Sequence, residues 1–478
     1  MNKQRLLPLV GTVFLLSGCT MAPEYRQPKA PIPVEWPRRG AYKETGAAAG
    51  ALAVTDLKWR DFFTDPRLQK VIEMALNNNR DLRLAALNVE RARALYGVQR
   101  AELFPAVDAA GMGAKQRLPA DLSTTGKSMT MEEYSVNLGI ASWEIDFFGR
   151  IRSLKERALE EYLATEQARR SAQIALVAEV ARVYLTLAAD RENLKLARST
   201  LKAQQADYDF IKRRLELGLQ TELDLRQAQT RVDAARRDIP RFTQFAAQDQ
   251  NALNLLTGSQ VPEDLLPADL SSVAPFRELS PGLSSEALLN RPDIMAAEHR
   301  LKGAYAFIGA ARAAFFPRIS LTAWGGTASA ELSGLFKAGS GAWAFAPQIV
   351  LPIFDARVWA ALRVSKADQK IVLTQYEKTI QTAFREVADS LAVLGTINDQ
   401  VSAQKSLVDA TAETYRLSNK RYEKGIDNYL AVLVAQRSLY AAQRGLIELR
   451  LARLANQVRL YAVLGGGGDR TVVKQEGS

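Results

Sequence analysis

Residues 421–440 read RYEKGIDNYLAVLVAQRSLY, and residues 213–232 read RRLELGLQTELDLRQAQTRV. Each stretch has a glycine inside a charged helical pattern, and Gly218 and Gly425 stand 207 positions apart (425 − 218). Three further identities share this spacing: Tyr208 with Tyr415, Leu223 with Leu430, and Gln229 with Gln436. Self-similarity at one fixed offset predicts two copies of a single structural unit in the chain.

The repeat extends upstream of these stretches. Arg100 is matched by Arg312, and Phe104-Pro105 by Phe316-Pro317, at an offset of 212 (312 − 100). In both copies the Phe-Pro pair ends a helical pattern, because the residue before a proline disfavours the α conformation. The change of offset places a small length difference between the copies in the segment that follows.

Hydropathy alternates after each Phe-Pro pair, which is typical of β-strands, and two strands are predicted per copy. One face of these segments carries the following residues: Tyr134, Val136, Leu138 and Ile140 in the first copy, and Ile319, Leu321, Ala323, Trp343, Phe345 and Ile349 in the second. About ten alternating residues fit a membrane-spanning strand. A soluble β-hairpin has the same pattern, so both interpretations stay open at this point.

Long helices are predicted after the strands. Residues of the core-forming type recur every seven positions in both copies: Val180, Leu187, Leu194, Leu201, Tyr208 and Leu215, then Val387, Leu394, Val401, Val408, Tyr415 and Tyr422. A sustained heptad predicts helices that supercoil around their neighbours. The proline-free stretch from Arg150 to Glu216 would measure roughly 100 Å as one helix, which is far longer than a globular core accommodates.

Each long helix is predicted to end at its glycine, where the left-handed backbone conformation costs least. An antiparallel helix of about half the length follows, and in the first copy it contains Pro240, where we expect a kink. Another half-length helix precedes each Phe-Pro pair. One long helix should therefore lie beside two half-length helices placed end to end.

Composition excludes several classes of protein. The chain has 63 Lys and Arg against 52 Asp and Glu, a formal charge of +11, but the two signs alternate along the helices. This pattern indicates solvated helix faces rather than a nucleic-acid-binding surface. The single cysteine, Cys19, and the single histidine, His299, exclude a Cys/His metal site and a disulfide framework. The sequence also has no nucleotide-binding loop and no nucleophile–histidine arrangement, so we expect neither an enzyme nor a cofactor.

The N-terminal residues predict export from the cytoplasm. The chain begins with the basic segment MNKQR. The apolar segment LLPLVGTVFLL comes next, and its last leucine is also the first residue of the tetrapeptide LSGC. The apolar run is much shorter than the ~20 residues of a spanning helix, so residues 1–18 are predicted to be a signal peptide. LSGC resembles a bacterial lipobox, which implies a covalent lipid on Cys19. Thr20 in the next position, where inner-membrane lipoproteins have Asp, implies the outer membrane.

Four strands per chain cannot close a membrane barrel, which needs at least about eight. An open sheet edge in lipid would leave backbone groups unpaired at a prohibitive cost. Membrane strands would therefore require several chains in one barrel, with eight strands from two chains or twelve from three. Because eight-stranded barrels fill with side chains, we favour the trimer, which leaves a lumen.

The combination of these motifs resembles the outer-membrane efflux family, and in particular its TolC/OprM-type channel lipoproteins. The motifs are the lipobox, the duplicated layout, RPDI at 291–294, FFPRISL at 315–321 and the hairpin motif at 421–440, and the resemblance runs from Cys19 to about Leu464. It implies an α+β homotrimer, with a twelve-stranded outer-membrane β-barrel continuous with a long periplasmic helical barrel. It also implies passive efflux of drugs or other small toxic compounds through a tripartite pump, with iris-like opening of the periplasmic helix tips.

The family further implies a periplasmic adaptor (membrane fusion protein) and an inner-membrane transporter of the resistance-nodulation-division type as partners. The alternatives are a duct for type I protein secretion and a structural coiled-coil lipoprotein, although the latter does not need the strands. The predicted organisation is a signal peptide (1–18), a lipidated extended segment (19–63), a first repeat (64–258), an equatorial connecting segment (259–283), a second repeat (284–465) and a flexible tail (466–478).

The resemblance also implies where the gate lies. The two glycine turns would form the periplasmic tip where adaptors dock, with Arg214 and Gly218 in the first copy and Arg421 and Gly425 in the second. In related channels an acid six residues after the first glycine bonds to a tyrosine three residues before the second. The matching residues here are Asp224 and Tyr422, so we predict a bond between them that holds the tip closed.

One family position departs from the pattern. Relatives often have an acid nine residues after the second glycine, and this chain has Val434 there. Three interpretations stay open: an apolar constriction that gates by dewetting, a ring whose charge comes instead from Asp427 or Glu222, or ordinary coiled-coil packing of Val434.

Overall fold

The structure is a computed structural model, and it describes residues 20–42, 57–277, 279 and 284–466. In chain order the helices and strands are α1 (Trp59–Phe62), α2 (Pro66–Asn78), α3 (Arg80–Ala101), β1 (Asp108–Leu118), β2 (Met129–Glu144), α4 (Arg150–Glu216), α5 (Glu222–Thr257), α6 (Pro292–Ala313), β3 (Arg318–Ser329), β4 (Gly341–Val350), α7 (Ala356–Glu423) and α8 (Tyr429–Val463). The predicted signal peptide, Cys19 and residues 467–478 of the predicted tail lie outside the described residues.

The duplicated layout is confirmed. Each copy has a half-length helix, two strands, a long helix and a returning helix, in that order. The long helices α4 and α7 have 67 and 68 residues, and the returning helices α5 and α8 have 36 and 35. All twelve heptad positions are buried or half-buried, so the seven-residue pattern does mark the packed face. Pro240 lies inside α5, which continues through it as one helix.

The four predicted strands form one antiparallel sheet in the order β1-β2-β3-β4. β2 pairs with β3, which joins the two copies, while β1 and β4 each pair on one side alone among the described residues. The register places Phe345 opposite Ala323 and Ile349 opposite Ile319. One face of the sheet is therefore apolar and exposed, with Phe345 63% and Ile349 67% accessible. Within the part of the chain that the structure describes, the sheet therefore has two edges without a strand partner.

The chain divides into two compact units. The first consists of residues 1–29, 88–166 and 296–376 and contains the sheet, and the second consists of residues 30–87, 167–295 and 377–478. The described parts of the second unit include the glycine turns, most of α5 and α8, and the connecting segment after α5. The site discussed below lies entirely in this second unit.

Half-length helices meet end to end within the second unit, as predicted. The Asn79 side-chain amide donates to the carbonyl of Leu256, which joins the start of α3 to the end of α5. Arg291 makes the matching junction in the second copy, where its guanidinium donates to the carbonyl of Val463, 2.6 Å away at the end of α8. In both copies a side chain at a helix start satisfies a carbonyl that the last turn of a helix leaves unpaired.

Aromatic side chains from three parts of the chain pack together in the same unit. One cluster is formed by Phe62 at the end of α1, Phe63 directly after it, Phe276 from the connecting segment and Tyr461 from α8. The rings of Phe62 and Tyr461 stack 4.4 Å apart. Both Phe62 and Phe63 are fully buried. Phe276 of the connecting segment thus packs against side chains from an early and a late part of the described chain.

Two glycines with the same backbone conformation provide a matched prediction. Gly258 ends α5 at φ 65°, and an added Cβ would lie 2.7 Å from the Asn78 carbonyl oxygen, whereas Gly218 at φ 72° has open space around it. Gly218→Ala should cost only the left-handed conformation, about 1 kcal/mol of unfolding free energy. Gly258→Ala should cost more, because the backbone of α2 must also move. Denaturant unfolding followed by helical circular dichroism compares them, and equal shifts would contradict the steric argument.

Candidate functional site

The first glycine turn closes α4 with a Schellman motif. The N–H of Leu219 donates to the Arg214 carbonyl at 2.8 Å, and the N–H of Gly218 donates to the Leu215 carbonyl at 2.9 Å. This bond pair needs a left-handed residue at its centre, and Gly218 adopts φ 72°. The glycine is therefore a turn residue whose backbone bonds satisfy the last carbonyls of the long helix.

The second turn has the same geometry at the repeat-related residues. The N–H of Ile426 donates to the backbone carbonyl of Arg421, and the N–H of Gly425 donates to that of Tyr422, both at 2.9 Å. Gly425 has φ 70°, which is also left-handed. The two predicted hairpins are confirmed, and we call them the first hairpin (α4–α5) and the second hairpin (α7–α8).

Asp224 caps the returning helix of the first hairpin. Its carboxylate accepts from the hydroxyl of Thr221 at 2.6 Å and from the Thr221 N–H at 3.2 Å. In return the Thr221 hydroxyl accepts from the N–H of Asp224 at 3.2 Å, which completes a capping box. In the second hairpin Asn428, the repeat equivalent of Thr221, is the N-cap of α8, and its side-chain carbonyl accepts from the N–H of Ala431.

The predicted bond between Asp224 and Tyr422 is not formed in this structure. Tyr422 takes its hydrogen bond from the side-chain amide of Gln220, and Asp224 is bonded to Thr221. Asp224 bonds to Thr221 rather than to Tyr422 because Thr221 lies only three residues away on the same turn. Little additional ordering of the chain is needed to form this cap. Tyr422 therefore still links the second hairpin to the first, but its partner is Gln220 in the first glycine turn.

The two turns differ in charge. In the second hairpin Arg421 donates twice to Asp427, at 2.6 and 3.0 Å, and this hydrogen bonding lowers the pKa of Asp427. The repeat-related position in the first hairpin is Gln220, so Arg214 has no acid there. Its guanidinium lies instead near aromatic rings, 5.6 Å from the centroid of Phe210 and 6.0 Å from that of Tyr422.

These pairings bear on the predicted source of charge at the gate. Asp427 is engaged by Arg421, and Glu222 accepts from Arg226 at 2.8 Å one helical turn away. Each of these acids is therefore balanced within the chain by a neighbouring cation. Among the described residues, moreover, no group of three or more acidic, histidine or cysteine side chains is placed to hold a metal ion.

Val434 is not covered by its own hairpin. It remains 46% exposed, and it borders a groove of about 530 Å³ between α7 and α8. The groove, which we call the second-hairpin groove, is lined by Thr411, Thr414, Ser418, Asn428, Leu430, Ala431, Val434, Ala435 and Ser438. Packing within one hairpin therefore does not account for Val434. The lining combines the hydroxyl-bearing Thr and Ser side chains of α7 with largely apolar side chains of α8.

The first and second hairpins pack against each other through an apolar cluster just behind the turns. Its buried members are Ile211, Leu225, Ala228, Tyr429, Val432 and Leu433, and Tyr208, Leu215, Tyr415 and Tyr422 pack around them. The rings of Tyr422 and Tyr429 lie 5.2 Å apart. We call this contact, with the polar pairs described next, the intrachain seam.

Polar pairs extend the intrachain seam along α8. Gln436 donates to Asp207 at 3.5 Å, Tyr440 donates to Asp238 at 3.0 Å, and Arg450 donates to Glu192 at 2.6 Å. Burial raises the pKa of Asp207, and the hydrogen bond from Gln436 opposes that rise. Sequence reasoning missed these pairs. Its one signal was the repeated glutamine of the opening stretches, because Gln436 turned out to face the other hairpin.

The turns also present exposed apolar side chains. Leu217 is 72% exposed, Leu219 61% and Ile426 58%, although all three lie within two residues of a turn glycine. They stand among cations of the last helical turns, Arg213 and Arg214 on α4 and Lys420 and Arg421 on α7. An exposed apolar patch with a basic rim is typical of a surface that contacts another protein.

Two adjacent residues test the seam. Leu433 is 2% exposed and lies in the apolar cluster, whereas Val434 is 46% exposed. Leu433→Ala should remove buried contacts and cost about 2–5 kcal/mol, which would make the turns cleavable by protease at lower temperature. Val434→Ala should change stability by under about 0.5 kcal/mol. Limited proteolysis over a temperature series measures both, and equal sensitivity would argue against the packing described.

The chain is similar to known proteins over both repeats. A family model described as "Outer membrane efflux protein" matches residues 71–259 and 283–466, one match per repeat. The chain is 49% identical over 466 residues to the toluene efflux pump outer membrane protein TtgC of Pseudomonas putida, covering 97% of this chain and 95% of that protein. It is 42% identical to the outer membrane protein OprJ of Pseudomonas aeruginosa, covering 97% and 96%.

A solved structure agrees with the fold. The open state of the Neisseria gonorrhoeae MtrE outer membrane channel superposes with a TM-score of 0.84 at 39% identity, covering 94% of this chain and 98% of that one. The similarity therefore includes both repeats and the sheet.

Proposed function

This chain belongs to the outer membrane efflux protein family, and from that premise we propose that three copies form one channel that conducts small toxic compounds passively out of the periplasm. The chain is the outer-membrane component of an efflux pump, as its relatives are. The energy for transport would come from an inner-membrane partner, because the tunnel itself only provides a path.

The observation that carries this proposal is the open sheet with its apolar face. β1 and β4 each leave one edge without a strand partner among the described residues. Unpaired backbone groups are not tolerated in lipid, so the edges must pair with those of other copies. Three copies supply twelve strands, which close a barrel wide enough to leave a lumen.

The two sheet faces fit the two environments of such a barrel. Phe345, Trp343 and Ile349 lie on the apolar face, opposite Ala323, Gly325 and Ile319 in the register. The other face carries Gln348 opposite Ser320, and Thr322 two residue pairs along. The apolar face would contact lipid, and the face with Gln348 and Thr322 would line the aqueous lumen.

The glycine turns are proposed as the gate and the docking surface for the adaptor. Arg214, Gly218, Arg421 and Gly425 lie together with the exposed leucines of the turns, which suit contact with a periplasmic adaptor protein. The inner-membrane transporter would be of the resistance-nodulation-division type. Iris-like movement of the hairpins would open the tip. Such movement would change the contacts of Tyr422, which bonds to the first hairpin, and of Val434, which borders the groove, while Asp427 would stay paired with Arg421.

A covalent lipid on Cys19 is proposed as a second membrane anchor. Thr20, the first described residue, contacts the hydroxyl of Ser153 at 3.3 Å, and Arg312 donates to the carbonyl of Met21. The chain just after Cys19 is therefore held against α4 and α6, in the unit that contains the sheet. A lipid at this position would insert into the membrane that the sheet crosses. Efflux is favoured over type I secretion because the similar proteins are named as efflux components.

Two arginine substitutions on one strand test the assignment of faces. Phe345→Arg would place a charge in lipid, at a cost of about 2–4 kcal/mol near the bilayer midplane, and we expect loss of the assembled protein from the outer membrane. Gln348→Arg, three residues away on the opposite face, should assemble normally because its side chain reaches water. Membrane fractionation with native electrophoresis measures both. Normal assembly of Phe345→Arg would contradict the lipid-facing assignment.

Function is tested with the purified full chain in mild detergent and in planar bilayers. We expect a native mass of three copies, discrete conductance steps, and restored resistance when the chain is expressed in a strain that lacks its own efflux channel. Denatured protein at the same concentration is the control for conductance. A monomer that gives no conductance would overturn the proposed channel.

A further inference from the structure

Three consecutive residues of α4 each contact a different part of the second unit. The three contacts are Asp190 with Asp249 of α5, Arg191 with Glu263 of the connecting segment, and Glu192 with Arg450 of α8. The second and third are ion pairs with N–O distances of 2.6 Å. The first brings two carboxyls within hydrogen-bonding reach of each other. We call Asp190 and Asp249 the acid pair.

Neither member of the acid pair is freely solvated. Asp190 and Asp249 are both half-buried, and the Oδ2 atom of Asp249 is buried without a hydrogen-bond partner among the described residues. Two ionised carboxylates in contact repel each other, and partial burial reduces the screening of that repulsion by water. One proton removes the repulsion, because a protonated carboxyl can donate a hydrogen bond to an ionised one.

The pKa values of the acid pair follow from this environment. Burial first, and the adjoining Asp190 second, raise the pKa of Asp249 to about 7. Burial also raises the pKa of Asp190. In the unfolded chain both groups would return to the lower pKa of an exposed aspartate. The folded chain therefore binds an additional proton between that value and about pH 7.

Two arginines lie near the acid pair, but neither donates a hydrogen bond to it among the described contacts. Arg182 of α4 donates twice to Glu179, at 2.8 and 2.5 Å. Arg241 of α5 lies against the rings of Phe242 and Phe245. The charge of Arg182 lowers the pKa of one acid and that of Arg241 lowers the pKa of the other, without cancelling the effect of burial.

Charged groups on the other elements packed around α4 and α5 are engaged in ion pairs of their own. These pairs are Arg191 with Glu263 and Lys195 with Asp269 at the connecting segment, Glu192 with Arg450 of α8, and Arg67 with Asp65 and Arg60 with Glu73 at α2. The proton therefore remains the simplest means of neutralising one member of the acid pair.

The second repeat makes the equivalent contact without acids. The residues 207 positions later are Ile397 on α7 and Asn456 on α8, which are 3% and 7% exposed. The side-chain amide of Asn456 donates to the carbonyl of Ser390 on α7 at 3.0 Å. This neutral bond joins a long helix to its returning helix at any pH. The same two positions lie in the helix contact of both repeats, and only the first repeat has carboxyls there.

We propose that Asp190 and Asp249 share one proton and act as a proton-dependent latch, which holds α5 against α4 when the periplasm is acidic and releases it when the pH rises. In the closed latch one carboxyl donates to the other. When the latch opens, the proton passes to water and two carboxylates face each other. The second hairpin has Asn456 in the equivalent place, so the pH acts on one hairpin of each chain. The latch lies within one chain and does not depend on the proposed trimer.

Two neutral substitutions and a charge-matched control test the latch. Asp249→Asn copies the second repeat and keeps a hydrogen-bond donor and acceptor, and Asp190→Asn does the same from the other helix. Asp233→Asn removes an equal charge from an exposed position of α5, where the acid is paired only with Arg236. If one neutral variant folds poorly, the other still tests the pair.

Two measurements on the purified full chain in mild detergent follow the proton and the contact separately. Infrared spectroscopy detects the carbonyl band of a protonated carboxylic acid. Hydrogen exchange read by mass spectrometry, corrected for the intrinsic effect of pH on exchange, reports how firmly α5 is held. In the unmodified protein and in Asp233→Asn, the protonated fraction should fall from roughly 90% at about pH 6 to roughly 10% at about pH 8. Amides of α5 near Asp249 should then exchange up to about ninefold faster, in step with the lost protonated form.

Both neutral variants should lack the infrared band of the pair and keep slow exchange at both pH values. Equal exchange of α5 at the two pH values in the unmodified protein would overturn the latch. So would a pH effect that persists in both neutral variants, because its proton would then lie elsewhere. Loss of the effect in Asp233→Asn would make net charge the cause, and an infrared band that neither neutral variant changes would show that the pair has no proton to share.

Either of these last two results would equally overturn the latch.

Discussion

Unpaired backbone groups along β1 and β4 are the constraint on which the rest of the architecture depends. Hydrogen-bonding groups at a sheet edge can be satisfied by water or by another strand, and in lipid by another strand alone. A chain with four strands, two free edges and an apolar face has no stable place in a membrane by itself. It must associate edge to edge, and each copy must then present two different sides to its neighbours. The helices belong to the same chain as the strands, so the helices of each copy must also have different neighbours on their two sides.

Duplication satisfies that requirement with one structural unit used twice. The two hairpins share heptads, Schellman turns and helix lengths, so they pack by one rule wherever they meet. Their differences lie at the contact residues. The site that is filled within the chain has Ile211, and its open counterpart has Ser418. The contact within the chain is therefore apolar at this position, whereas the open counterpart has a hydroxyl group there.

Much of the fold could be predicted from the sequence because its signals are local and repeated. The heptad positions, the strands after Phe-Pro and the turns at Gly218 and Gly425 were all found where expected. The site was harder. Asp224 was expected to reach Tyr422, but Thr221 holds it in a capping box, and Gln220 takes its place at the tyrosine. Several hydrogen-bond donors and acceptors of suitable type lie near each turn. Their spacing along the chain does not show which of them pair with one another.

The order of amino acids alone predicted the two repeats, the order of helices and strands, the hairpin turns and the family resemblance, since each of them appears as a pattern along the chain. Tertiary structure alone decided which face of each returning helix is covered, that Asp207 meets Gln436, and that Val434 borders an open groove. These facts depend on which helices are brought side by side. Gln229 and Gln436 are identical in type and place in the repeat, yet Gln436 is buried against the first hairpin and Gln229 is not buried to that degree. Sequence periodicity identifies the face of a helix that is suited to packing. Only the tertiary structure shows whether another helix covers that face.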